Sequence, residues 1–217
     1  MPRINRFDYL ANDMLLHVRI QINNGEFRFF EERHFELFNR ICRMYLKKYP
    51  TIKLTDYEWM SNHAHFIFHI DVYTDLPKFM HDFCWRFSFE YNKMQNRKGH
   101  LFQQRYRASN VNTDQYALSC QRYVYRNQLR AGMVKELQDT KWSSYHYYAY
   151  GQPNDLITPI FTYEQFGNTP EKQQIEFRFF VEKMPEHEET LWRAKLLHPL
   201  LKTKKEIVLN YMKKCHV

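Results

Sequence analysis

An α+β fold is expected from this chain: a ferredoxin-like antiparallel sheet with helices on one face, followed by a mainly helical C-terminal segment. Three observations predict it. Residues 14–22 and 64–72 are rich in aromatic and branched side chains and alternate in the manner of strands, whereas residues 31–49 and 75–96 carry apolar side chains at helical spacing. The segments follow one another in the order β-α-β-β-α-β, a split βαβ unit. The 217 residues suffice for one good core or a core plus an accessory segment.

Residues 14–22 (Met-Leu-Leu-His-Val-Arg-Ile-Gln-Ile) read as a first strand, closed by the turn signal Asn23-Asn24-Gly25. The helix over 31–49 has its apolar stripe at Phe35, Phe38, Ile41, Cys42, Tyr45 and Leu46. Residues 53–59 and 64–72 form a hairpin. A second helix covers 75–96, with Pro77 in its first turn and Phe79, Phe83, Trp85, Phe87 and Tyr91 as its packing face. Residues 100–107 are the next strand, and a helix over 113–130 follows. Asn112 or Thr113 would cap it, Arg126 and Arg130 occupy its last turns, and Gly132 stops it. Gly151-Gln152-Pro153-Asn154-Asp155 is a linker. Short helices then cover 163–166 and 170–184, with Phe177, Phe179, Phe180 and Val181 apolar, and residues 195–214 form a basic tail.

The densest chemistry lies in Asn62-His63-Ala64-His65-Phe66. On a strand, residues two apart share a face, so His63 and His65 project side by side, about 7 Å apart at the backbone. Neutral imidazoles so arranged suit two ligands of one divalent metal. They equally suit two half-exposed sheet-face histidines. On the later helix Tyr123 and Asn127 are four apart and share a face. A phenol and an amide oxygen presented together can act as nucleophile and third ligand, or the tyrosine can simply pack. His69 continues the alternation and reads as a sheet-face residue, His100 is a candidate neighbour of the site, and Tyr125 faces away from Tyr123.

Taken in order, four segments resemble the His-hydrophobic-His single-tyrosine transposases, above all the REP-associated tyrosine transposases. They are Asn62-His63-Ala64-His65-Phe66, the run from Gly99-His100-Leu101-Phe102-Gln103-Gln104 to Arg105-Tyr106-Arg107, the run Tyr123-Val124-Tyr125-Arg126-Asn127-Gln128-Leu129-Arg130-Ala131-Gly132, and Trp142-Ser143-Ser144-Tyr145. The resemblance spans roughly residues 10–150. Two positions depart from the family pattern. Gln128 replaces the usual proline, so the helix is expected to run on slightly. Ala64 is smaller than the usual bulky residue, a matter of packing because it points to the opposite face.

The resemblance implies a metal-dependent single-strand endonuclease and strand transferase. Tyr123 would attack a backbone phosphate to give a 5′-phosphotyrosine link and a free 3′-hydroxyl. His63, His65 and Asn127 would hold Mg²⁺ or Mn²⁺, with Mn²⁺ at least as effective because it accepts imidazole more readily. The partner implied is single-stranded or hairpin DNA, and the protein would act as a monomer or homodimer. Residues 1–150 would be the catalytic domain and 151–217 an accessory basic segment. A DNA-binding protein without catalysis, and a hydrolase using the histidine pair alone, are the alternatives.

Composition agrees with such a partner. Lys+Arg number 32 against 24 Asp+Glu, a net charge of +8, and aromatic residues make up 18%. Cations neutralise phosphates and free rings stack on unpaired bases. The expected DNA contacts are Arg97, Lys98, Arg105, Arg107 and Arg130. No glycine-rich phosphate loop appears, and the cysteines (Cys42, Cys84, Cys120 and Cys215) form no Cys-x-x-Cys pair, which argues against a zinc ribbon. With no signal-peptide core and no membrane-length apolar run, a soluble, cytoplasmic protein is expected.

Overall fold

A computed structural model describes residues 11–183. Strands β1 (Met14–Gln21), β2 (Ile52–Trp59), β3 (His63–Ile70) and β4 (Arg107–Val111) form one antiparallel sheet in the order β2-β3-β1-β4. Helices α1 (Glu32–Lys48) and α2 (Asp75–Met94) cover one face. This is the ferredoxin-like α+β arrangement expected from the order of elements. The alternation of β1 and β3 sends Leu16, Val18, Ile20, Phe66, Phe68 and Ile70 into that core. There they meet an aromatic cluster in which Phe38 stacks on Phe87 at 4.1 Å and Phe83 lies edge-on to Phe66 at 5.6 Å. Trp85, expected on the packing face of α2, is instead exposed and stacks on Phe89. It lies two residues from Phe83, so it faces away from the stripe that Phe79, Phe83 and Phe87 form.

The opposite sheet face is covered by α3 (Asp114–Tyr125), α5 (Tyr145–Tyr150) and α6 (Pro170–Glu182). Val124, Tyr125, Tyr145, Tyr148, Phe177 and Val181 pack there with Leu15, Ile67 and Val111. The segment after the linker therefore shares a core with α3. The basic tail lies outside the described residues, as does Cys215.

Two elements differ from expectation. The strand expected over 100–107 begins only at Arg107. Residues 101–103 do run beside the end of β1, through Asn23 N–H to the Leu101 carbonyl (2.8 Å) and Gln103 N–H to the Gln21 carbonyl (2.9 Å). The ladder then breaks, because Gln103, Gln104 and Arg105 are exposed while Tyr106 turns into the α1/α2 core. The helix expected over 113–130 is also divided. Thr113 caps it, its hydroxyl accepting from Tyr116 N–H at 3.1 Å. α3 ends at Tyr125, Arg126 adopts φ −88°, ψ 0°, and one further turn follows as α4 (Asn127–Arg130). The chain thus does run on, but after a break. Gly132 stops it at φ +65°, a left-handed conformation that favours glycine.

Two details position the site. A register shift between Leu54 and Asp56 of β2 puts Tyr57 and Trp59 in the α1/α2 core and turns Asp56 and Glu58 toward α3. Trp142 through Ser144 run along the outer edge of β2, with Trp59 N–H donating to the Trp142 carbonyl at 2.9 Å and Ser144 N–H to the Tyr57 carbonyl at 3.0 Å.

Candidate active site

His63 and His65 project from β3 on the face that α3 covers, and Ala64 between them is buried on the other face. Ala64 lies opposite Trp59 in the β2–β3 register, so the small side chain leaves room for the large one. The register also builds a row across all four strands: Glu58 is opposite His65, His65 opposite Arg19, and Arg19 opposite Arg107. One step along, His17 faces Ile67 on β3, and in the other direction Gln21 faces His63.

The two imidazoles are 4.8 Å apart between ring centroids. His65 is buried and its Nδ1 lies 2.8 Å from His17 Nε2, with the rings stacked at 5.0 Å. His63 Nδ1 lies 2.6 Å from Asn62 Oδ1. The Asn62 amide is itself oriented by donation from Nδ2 to the Gly25 carbonyl at 3.1 Å. Burial, with added repulsion from neighbouring cations, pushes His17 and His63 down to about 3 and His65 well below its ordinary value. All three rings are therefore neutral near pH 7.

This arrangement fits a metal. Asn62 Oδ1 can only accept, so His63 carries its proton on Nδ1 and keeps a lone pair on Nε2. His65 Nε2 is buried with no hydrogen-bond partner. With Nδ1–H of His65 donating to His17, that atom also bears a free lone pair. Ligand histidines commonly give their other ring N–H to an outer acceptor in this way.

Tyr123 projects from the last turn of α3. Its ring lies edge-on to His65 at 5.7 Å and to His17 at 6.0 Å, and the Arg130 guanidinium sits 4.6 Å from the ring centroid. Asn127 caps the helix break, its Nδ2 donating to the carbonyls of Tyr123 (3.0 Å) and Val124 (3.1 Å). Its Oδ1 accepts from Arg130 at 2.9 Å. Tyr123, His63, His65, Arg130 and, through Arg130, Asn127 are thus drawn together. Tyr125, by contrast, is buried and donates to the Asp56 carboxylate, remote from any role at the surface.

The remaining candidates are dispersed. Arg97 is held by Asn92 Oδ1 (2.5 Å) and the His100 carbonyl (3.3 Å), while Lys98, His100 and Arg105 are exposed on the connection into β4. Arg107 is exposed at the start of β4. His69, at the far end of β3, pairs with Asp13 (2.9 Å) and Asp71 (3.2 Å). The donor atoms of these three residues lie within 4.8 Å of one another, and Lys53 also pairs with Asp71 at 3.0 Å. This cluster is about 20 Å along the strand from His63 by the rise per residue.

His17, Arg19 and Glu58 were not singled out from sequence. The polar alternation of His17, Arg19 and Gln21 signals a second functional face, but not which strand lies beside it. Glu58 is buried, its Oε1 accepts from Gln128 N–H at 3.1 Å, and its Oε2 has no partner. Burial raises its pKa well above the usual carboxylate range, against the backbone donor and the nearby Arg130 charge.

The profile of the family "Transposase IS200 like" matches residues 12–127, more than half of the chain. A solved structure described as "Structure of the REP associates tyrosine transposase bound to a REP hairpin" is similar in fold. It has a TM-score of 0.54 and 16% identity, and covers 74% of this chain and 99% of that one. A tRNA(His) guanylyltransferase from Saccharomyces cerevisiae is similar at a TM-score of 0.42 and 14% identity, over 84% of this chain and 88% of its own. No curated protein matches the chain in sequence. Among the described residues, no helix is long and apolar enough to cross a membrane.

Proposed function

The chain belongs to the IS200-like transposase family, and from that premise we propose that it nicks and rejoins single-stranded DNA through a 5′-phosphotyrosine intermediate at Tyr123. The observation that carries this reading is the approach of the Tyr123 ring to within 5.7 Å of His65, whose buried Nε2 has no protein partner. Tyr123 Oη attacks the scissile phosphorus, the P–O3′ bond breaks, the phenol proton passes to solvent, and the leaving oxygen takes a proton to become a 3′-hydroxyl. The new link keeps the phosphate in a diester, so the same groups can run the reaction backwards and join strands.

His63 and His65, through Nε2, and Asn127, through Oδ1, are the residues that would hold Mg²⁺ or Mn²⁺. When bound, the cation withdraws charge from the scissile phosphate. His17 and Asn62 orient the two imidazoles. Arg130 holds Asn127 Oδ1 and lies over the Tyr123 ring, which keeps a positive charge beside the phenol as it loses its proton.

The substrate class proposed is single-stranded or hairpin DNA of dispersed repeats, in keeping with the net charge of +8 and with the hairpin bound by the similar solved structure. Arg97, Lys98, Arg105, Arg107 and Arg130 would contact its backbone. The protein would act as a monomer or homodimer. Residues 1–150 would carry the chemistry and 151–217 an accessory role, in a protein working in the cytoplasm on nucleoid DNA.

The test is incubation of the protein with 3′-end-labelled hairpin DNA and Mn²⁺, followed by a denaturing gel. A labelled covalent band is expected for the wild type and not for Tyr123→Phe or His63→Ala. Cleavage that survives Tyr123→Phe with no protein-linked product would replace this reading with metal-dependent hydrolysis. Hairpin binding with neither product would leave a DNA-binding protein.

A further inference from the structure

We propose that Arg19 and Arg107 form a clamp for one backbone phosphate of single-stranded DNA, within a nucleotide of the cleavage point. The proposal rests on the DNA reading above and adds Arg19, on which that reading does not draw.

The two arginines are register partners on adjacent antiparallel strands, and Arg19 is at the same time opposite His65. Residues directly opposite share a face, with Cβ atoms about 4.5–5.5 Å apart. Two guanidiniums on such a base can converge on a single anion. Like charges set opposite each other cost stability when nothing lies between them. Among the described residues no ion pair joins either arginine to a carboxylate. The acid of the row, Glu58, is beyond His65 and is held by Gln128 N–H.

Arg19 is also half-buried, and its Nε has no hydrogen-bond partner. Burial and the Arg107 charge both lower its pKa, while the Tyr123 phenol lies within its electrostatic reach and opposes them. A half-buried guanidinium facing a second one, beside a nucleophile, is a costly arrangement in the free protein. A phosphodiester resolves it, since its two non-bridging oxygens can each accept from one planar fork. The Arg107 fork is exposed and open to a strand arriving from solvent, whereas Arg19 reaches the same phosphate from the floor of the site.

The test uses full-length protein carrying Tyr123→Phe, without added metal, so that binding is read apart from covalent chemistry. Affinity for a hairpin oligonucleotide is measured with natural DNA and with single methylphosphonates scanned across the unpaired segment. Adding Arg19→Met should weaken binding to natural DNA about tenfold and lower the salt slope by about one. At one phosphate position, the methylphosphonate should cost less in Arg19→Met than with Arg19 present, because only the Arg107 contact is left to lose. Arg19→Lys should keep the salt slope and recover part of the affinity.

Additive losses at every position would overturn the clamp. So would a lowered melting temperature with an unchanged salt slope, which marks a purely structural arginine. Should Arg19→Met fold poorly, the same cycle run with Arg107→Met, on an exposed side chain, decides the matter. Loss of the covalent band in the preceding assay would defeat the nicking mechanism while leaving this cycle readable.

Discussion

Asp56→Asn should gain stability on the wild type as pH rises from acid to neutral, and in that direction only. Asp56 is fully buried. Its Oδ1 accepts from Gln121 Nε2 at 2.8 Å and from the Tyr125 hydroxyl, and its Oδ2 has no partner. Burial raises the carboxyl from 3.8 to about 6, outweighing the Tyr125 and Gln121 hydrogen bonds, which lower it. Because the folded value lies above the unfolded one, the folded protein keeps a proton that the unfolded chain releases. The contribution of Asp56 to stability is therefore fully present below 3.8 and is lost as pH rises through 6. At 1.36 kcal/mol per pH unit, the ionised carboxylate costs about 3 kcal/mol relative to the acid limit. An asparagine stays neutral and can accept both donors through Oδ1. Any penalty from its unpartnered amide nitrogen is the same at every pH. Urea unfolding of both proteins across this range should show the variant gaining about 3 kcal/mol on the wild type as pH rises to neutrality. Parallel curves, or a gain toward acid pH, would refute the reasoning. Gln121 and Tyr125 both belong to α3, so the same measurement reports on what seats the tyrosine helix on the sheet.

Gln128→Pro, which restores the residue usual in the resembling family, should destabilise this protein by about 1–3 kcal/mol in the same unfolding assay. It removes the N–H that satisfies Glu58 Oε1 and leaves a buried carboxyl with no donor. His17→Phe keeps a ring against His65 but removes the acceptor of its Nδ1–H. Mn²⁺ affinity, followed by electron paramagnetic resonance of the free ion, should fall about 10–100-fold. Unchanged affinity would show that His17 does not orient the ligand.

Much of this molecule is legible from local pattern. The period-two runs of β1 and β3 and the helical stripes of α1 and α2 identify elements and core faces, because burial on one side forces those periods. The same periodicity sets His63 and His65 on a common face, and helical spacing keeps Asn127 near Tyr123. The strand at 100–107 and the single helix over 113–130 read less well. In the first, Tyr106 is pulled into the α1/α2 core; in the second, the Asn127 amide caps a break that the apolar spacing does not reveal.

The partners that give these residues their chemistry come from distant parts of the chain. His17 meets His65 across 48 positions, and Gln128 meets Glu58 across 70. The register shift in β2 alone turns Asp56 and Glu58 away from the α1/α2 core, and the strand order alone sets Arg19 between His65 and Arg107. Side-chain period is a property of a few consecutive residues, so one stretch of sequence carries it whole. Adjacency and register depend on which strands pair, and that is resolved only when the entire sheet closes against its helices.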